Sequence, residues 1–279
     1  MFKNEQKKPT HIFQMQPENK DYEYNIGIAL SGGGAKGFAH LGILQALNDN
    51  GIYPEIISGT SAGAFAGVLY ADGHKPKDII SFFKEKKFQE FAEFGIPQAG
   101  FFKSTRLRSF LKVHLKAKNF DDLEVALKVV ATDIEDGVYK VFSQGDLVAA
   151  VVASCSVPIV FSPVEIAGHY YVDGGLLKNF PVSPIRDKCR VVFGVNVSPI
   201  RKSGYKNSLK YVAERSFHYM SSSNTFQDRK LCDFLIESPN FSEYSMFDLE
   251  HVDQIYEAGY KLATEYLQNE EKKITTLLK

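Results

Sequence analysis

Apolar residues fall in two periods along the chain. Asn25–Leu30 is a short apolar run, the pattern of a strand buried on both faces. A glycine-rich stretch follows. Lys36–Asn50 then carries Phe38, Leu41, Leu44 and Leu47 at helical spacing, with Gly51 as its stop. "PEIISG" is a second apolar run, and "SAGAFAGVLYADG" reads as a small-residue helix ending at Gly73. Strand, helix, strand, helix is the order of a parallel sheet with crossover helices.

Further on, Pro76–Lys118 reads as mostly helical and is rich in Phe and Lys. "ALKVVATDIEDGVYKVFS" predicts two strands around an Asp136-Gly137 turn, and "SPVEIAGHYYVDGG" another hairpin. Asp146–Ser154 predicts a helix, "RVVFGVNVSP" a buried strand, Asn207–Arg229 a helix and "DFLIESP" a strand. From Asp253 onward the pattern is one long charged helix. There is no internal repeat and no low-complexity linker. The expectation is one α/β domain: a polar tail over 1–24, a core over 25–200, and an extension over 201–279 packed on that core.

Composition narrows the function. With 279 residues, 44% of them hydrophobic, the chain has material for one large core. Lys plus Arg balance Asp plus Glu at 33 each, so bulk charge gives no reason to bind nucleic acid. Cys155, Cys189 and Cys232 are odd in number and far apart, which argues against a disulfide framework or a structural zinc site and for a reducing compartment. The first 24 residues lack the apolar core of a signal peptide. The run "LVAAVVASCSVPIVF" is broken by serines and Pro158 and is too short to span a bilayer. A cytoplasmic, soluble protein is expected, with any membrane contact peripheral.

Gly32, Gly34 and Gly37 fit G-x-G-x-x-G, a pattern that cradles phosphates. The P-loop reading fails because Phe38 and Ala39 follow Gly37. The dinucleotide reading needs an acidic residue closing the second strand, which ends instead in "SGTSAG". That segment holds G-x-S-x-G between a strand and a helix, the context of a nucleophile elbow. Gly59, Ala62 and Gly63 supply the lack of bulk that a sharp turn needs, so Ser61 projects at the carboxyl edge of the sheet. Loops after neighbouring parallel strands lie side by side there. The N–H groups of Gly33 and Gly34 can then face the oxyanion formed when Ser61 attacks a carbonyl, a device worth about 3–4 kcal/mol per donor.

The nucleophile needs a base. Of seven histidines, His218 and His251 fit the Ser–Asp–His order, but neither sits in a glycine-rich strand-end loop. Both read as surface or packing residues. "YYVDGG" places Asp173 at the end of an apolar stretch, before Gly174 and Gly175.

"GGGAKG", "GTSAG" and "DGG", in this order and spacing, resemble the patatin-like phospholipase family. The segment "ASCSVPIVFSPVEIAGHYYVDGGLLKNFPV" adds to the likeness, with Pro158, Asn179 and Pro181; the resemblance covers about residues 26–200. It implies a three-layer α/β patatin-like fold, with a mostly parallel central sheet and helices on both faces. It also implies a Ser–Asp dyad without histidine. Ser61 would be the nucleophile and Asp173 the general base. The loop of Gly32, Gly33, Gly34, Lys36 and Gly37 would form the oxyanion hole, with Gly59 and Gly63 in the elbow and Gly174 and Gly175 in the base loop. Lys36 falls where the family carries a basic residue; a side chain bonding nearby loop carbonyls is preferred here to a direct role.

No metal or cofactor is implied. The implied substrate is a phospholipid or other fatty-acyl ester. A lipid acyltransferase and a non-catalytic lipid-binding scaffold stay open. A free Asp has a pKa near 3.9, so burial must strengthen this base, and slow turnover is expected. The Phe/Lys-rich segment 81–104 can be a lid, a membrane contact or core packing. Apolar faces on the later helices leave the oligomeric state open.

Overall fold

The computed structural model describes residues 21–83, 93–94, 102–202, 204–246 and 248–278. Strand β1 (Tyr24–Leu30) leads through a short 3-10 turn over Gly34–Gly37 into α1 (Phe38–Asp49). Then come β2 (Ile56–Thr60), α2 (Ala62–Ala71) and α3 (Pro76–Ser81). A small antiparallel ribbon follows, β3 (Glu93–Phe94) with β4 (Phe102–Lys103), and then α4 (Thr105–His114). Pro76–Lys118 reads as mostly helical, and its described residues give α3 and α4 together with the short ribbon.

The hairpins form as expected. They are β5 (Ala126–Asp133) with β6 (Val138–Phe142), and β7 (Val164–Ile166) with β8 (His169–Asp173), separated by α5 (Leu147–Ser154). Asp146 caps α5 by accepting the Ala149 N–H at 2.8 Å. Two short helices, α6 (Gly175–Lys178) and α7 (Ser183–Arg186), precede β9 (Cys189–Asn196). The chain closes with α8 (Leu209–Ser223), α9 (Phe226–Arg229), β10 (Phe234–Glu237), α10 (Val252–Asn269) and α11 (Glu271–Leu278). The single C-terminal helix of the sequence reading is thus two, parted at Glu270.

The main sheet has eight strands in the order β10-β9-β1-β2-β5-β8-β7, with β6 also on β5. β10, β9, β1, β2 and β5 run parallel. Alternation sorts the strands' side chains to two faces. Ile28 and Leu30 of β1, with Phe193 and Val195 of β9, join the larger core under α1, α2, α5 and α10. Ala29, Ile56 and Val192 meet Phe180, Val182 and Ile185 of the α6–α7 segment on the other face. Helices thus cover both sides. α10 lies hard against α1: a Cβ at Gly42 would be 2.0 Å from the Tyr256 carbonyl oxygen.

β5 explains how the site forms. Its residues 126–130 pair in parallel with β2, and residues 131–133 pair antiparallel with β8. β6 covers residues 129–133 along the opposite edge, so β2 and β8 share one edge of β5. Running towards each other, they bring their carboxyl ends together, Thr60 beside Val130 and Asp173 beside Ala131.

Candidate active site

Ser61 stands between β2 and α2 with φ +53°, in the left-handed region that is strained for a residue with a Cβ. The turn is tight on both sides. A Cβ at Gly63 would lie 2.2 Å from the Leu30 carbonyl oxygen, and one at Gly59 2.6 Å from that of Gly63. The Ser61 N–H donates to Ser154 Oγ at 2.8 Å. The Ser61 carbonyl accepts from the Phe65 N–H at 2.9 Å and from the Cys155 thiol at 3.3 Å. The strained residue is therefore held by α5 as well as by its own helix.

Ser61 Oγ donates to Asp173 Oδ2 at 2.6 Å, and the Gly175 N–H donates to Oδ1 at 2.7 Å. Gly174 turns the chain against β5, where a Cβ would lie 2.3 Å from the Val130 carbonyl oxygen. Asp173 is 1% exposed. Burial pushes its pKa up to about 7, and its hydrogen bonds to Ser61 and Gly175 pull against that rise. The result is a carboxylate matched to proton transfer near neutral pH.

The glycine loop splits into donors that are used and donors that are not. The Gly32 N–H goes to the Asn179 carbonyl at 3.0 Å and the Ala35 N–H to the Met246 carbonyl at 2.8 Å. Among the described residues, the N–H groups of Gly33 and Gly34 have no acceptor. Gly34 has φ +59°, and a Cβ on it would lie 2.3 Å from the Met246 oxygen. Gly37 serves packing, since a Cβ there would lie 2.5 Å from Ala62 Cβ. Lys36 does not bond loop carbonyls as expected. Its Nζ reaches Ser198 Oγ at 3.0 Å, and burial lowers its pKa to about 8.

Two cavities meet at Ser61. One is apolar, lined by Phe38, Leu41, Phe65, Ile79, Phe83 and Phe161. The other is small, with Gly33, Gly34, Asp173, Asn179, His218 and Ser221 on its wall beside the apolar Val157, Phe217 and Met246. From the Phe/Lys-rich segment, Phe83 is core, its ring 4.9 Å from Phe38 and 5.7 Å from Phe65. Phe82 stacks on His114 and Phe102 packs near Phe161. Phe88, Phe91, Phe101 and the side chain of Phe94 lie outside the described residues.

Neither candidate histidine bonds the pair. His251 is exposed and faces Asp248 at 2.8 Å. His218 is buried, with Nε2 3.2 Å from the Ser198 carbonyl and Nδ1 3.2 Å from an Arg215 nitrogen. Burial, and then the neighbouring Lys36 charge, lower its pKa to about 4, so it is neutral at pH 7.

The model of the family described as patatin-like phospholipase matches residues 28–185. The chain belongs to the patatin-like phospholipase family. Lysophospholipase NTE1 of Kluyveromyces lactis is 26% identical over 283 residues, covering 89% of this chain and 19% of the relative. An NTE family protein of Mycobacterium tuberculosis is 31% identical over 166 residues, covering 57% of this chain and 45% of that protein. The chain thus spans about a fifth of the length of the NTE1 relative. The crystal structure of VipD from Legionella pneumophila has the same fold, with a TM-score of 0.51 at 17% identity over 88% of this chain and 67% of that one.

The patatin-like match contains the glycine loop, Ser61, Ser154 and Asp173. It stops short of Ser198, His218 and Ser221, which lie on the wall of the small cavity. Sequence reasoning missed Ser154, whose hydroxyl also donates to the Val130 carbonyl at 2.6 Å. Its signal was a hydroxyl inside the apolar helix "LVAAVVAS". A polar group at such a position needs partners on both sides.

Proposed function

We propose that this chain hydrolyses fatty-acyl esters of phospholipids or lysophospholipids through a Ser61–Asp173 dyad. The observation that carries the reading is the 2.6 Å hydrogen bond from Ser61 Oγ to a buried carboxylate whose pKa is raised to about 7. Asp173 takes the proton as Ser61 Oγ attacks the ester carbonyl. The oxyanion accepts from the N–H groups of Gly33 and Gly34. The alcohol leaves with the proton and an acyl-Ser61 ester remains. Asp173 then takes a proton from water as it attacks that ester, and returns it to Ser61 Oγ as the fatty acid leaves. The acyl chain occupies the apolar cavity beside Ser61, and the protein meets its substrate at a lipid surface without crossing it.

Hydrolysis of a medium-chain p-nitrophenyl ester and of a lysophospholipid in mixed micelles tests the reading. Ser61→Ala and Asp173→Asn are expected to abolish both, and His218→Ala/His251→Ala to retain both. Activity lost in the histidine variant with its fold intact, or kept in Asp173→Asn, would replace the dyad with another base.

A further inference from the structure

Helix α8 has two faces with different work. Phe217, His218 and Ser221 line the cavity that holds Ser61 and Asp173. On the other side Leu209, Val212, Tyr219 and Met220 fall at helical spacing and are exposed, Leu209 by 87%. The segment before the helix extends this surface. It folds back on α8 through Tyr211 Oη donating to the Gly204 carbonyl and Arg215 donating to that of Arg201. It adds exposed Ile200 and Tyr205, the latter by 75%. Beyond the α8 residue Phe217, the small cluster around Val157 and Phe161 carries Ile159, exposed by 71%. Large apolar side chains are thus exposed on α8 and on the segments next to it.

Basic residues are concentrated in the segment before the helix, although Arg201 pairs with Glu243 at 3.1 Å and Glu214 follows on α8. From Ser198 to Ala213 the chain has Arg201, Lys202, Lys206 and Lys210 and no Asp or Glu. Lys202 and Lys206 are exposed, and neither has an acidic partner among the described residues. Scattered apolar residues need no explanation, but an apolar helix face preceded by exposed Lys202 and Lys206 does. Such a surface places its apolar side chains at the acyl boundary and its cations among anionic head groups.

We propose that this face, formed by Ile200, Tyr205, Leu209, Val212 and Met220 with Lys202 and Lys206, docks the protein on an anionic lipid bilayer. Docking there puts α8, whose other residues line the dyad's cavity, against the membrane. The proposal deepens the acyl-hydrolase reading, because it names the surface from which that site draws its substrate.

Cosedimentation of the chain with vesicles tests it, using phosphatidylcholine alone and phosphatidylcholine mixed with phosphatidylglycerol, at low and high salt. Hydrolysis of a soluble p-nitrophenyl ester runs in parallel as a separate readout. Wild type is expected to bind the mixed vesicles and to release at high salt. Lys202→Gln should weaken that partition about five-fold, and Leu209→Ser/Val212→Ser should abolish it, both with ester hydrolysis unchanged. Wild type that ignores both vesicle types while hydrolysing the ester overturns the docking face and spares the dyad. Vesicle binding that survives in Leu209→Ser/Val212→Ser also overturns it. A dimer that becomes a monomer in that variant, without vesicle binding, gives the face to a second copy. Binding as predicted without ester hydrolysis supports the face and removes the catalytic reading instead.

Discussion

The Ser61 amide donates to the Ser154 hydroxyl at 2.8 Å, and that hydroxyl donates onward to the Val130 carbonyl at 2.6 Å. One side chain of α5 thereby ties the strained elbow to the strand that also pairs with β8. Ser154→Ala strips both buried groups of their partner, at a cost of about 1–3 kcal/mol each. A lower denaturant midpoint with unchanged slope, together with a reduced kcat on a soluble ester, is expected. Stability and kcat both at wild-type values would show that Ser154 positions nothing.

Asp173 links activity to pH. Its folded pKa is raised to about 7 by burial, and the proposed mechanism requires it ionised. The rate kcat/KM on a soluble ester should therefore rise with pH through about 7 and level off above it. A profile flat from pH 5 to 9 would contradict this.

The same carboxyl links stability to pH. Unfolded, its pKa is near 3.9, so between about 4 and 7 the native state binds the extra proton. Stability falls as pH rises through that window, by an amount on the order of 4 kcal/mol. Asp173→Asn removes the buried charge. Urea melts should show the variant more stable than wild type at pH 8, with the gap closing towards pH 4. A gap of the same size at both pH values would mean that charge burial is not its source.

Phe83 lines the apolar cavity and packs in the aromatic cluster with Phe38 and Phe65. Phe83→Ala should cost about 3–5 kcal/mol of stability and enlarge the cavity. The ratio of kcat/KM for long over short acyl esters is expected to rise. An unchanged chain-length profile in a folded variant would move the acyl chain elsewhere.

Gly42 tests the contact between α1 and α10. Alanine is the better helix former, by about 1 kcal/mol, yet its Cβ would sit 2.0 Å from the Tyr256 oxygen. Gly42→Ala is expected to lower the melting temperature. A rise would show that α10 moves aside at no cost.

The sequence reading was accurate where structure is set locally. The apolar run of β1, the glycine loop and the G-x-S-x-G turn each follow from what a short backbone stretch permits. Both hairpins were legible for the same reason. Over Pro76–Lys118 it gave helix but missed the ribbon of β3 and β4, whose pairing joins separate stretches of chain. It was wrong about Lys36, whose partner Ser198 lies 162 positions away. His218 read as a surface or packing residue; its place on the wall of the small cavity beside Ser61 was not legible.

By itself, then, the sequence determined the strands, the crossover helices, the strained position of Ser61 and the glycines around it, because periodicity and steric demand are written residue by residue. The pairing of Ser61 with Asp173, 112 positions apart, was implied only by the family resemblance, and their contact belonged to the tertiary structure. So did the raised pKa of Asp173 and the two faces of α8. These depend on which strands share an edge and which side chains lose water, and in this fold β5 decides the first by bringing β2 and β8 end to end along one of its edges.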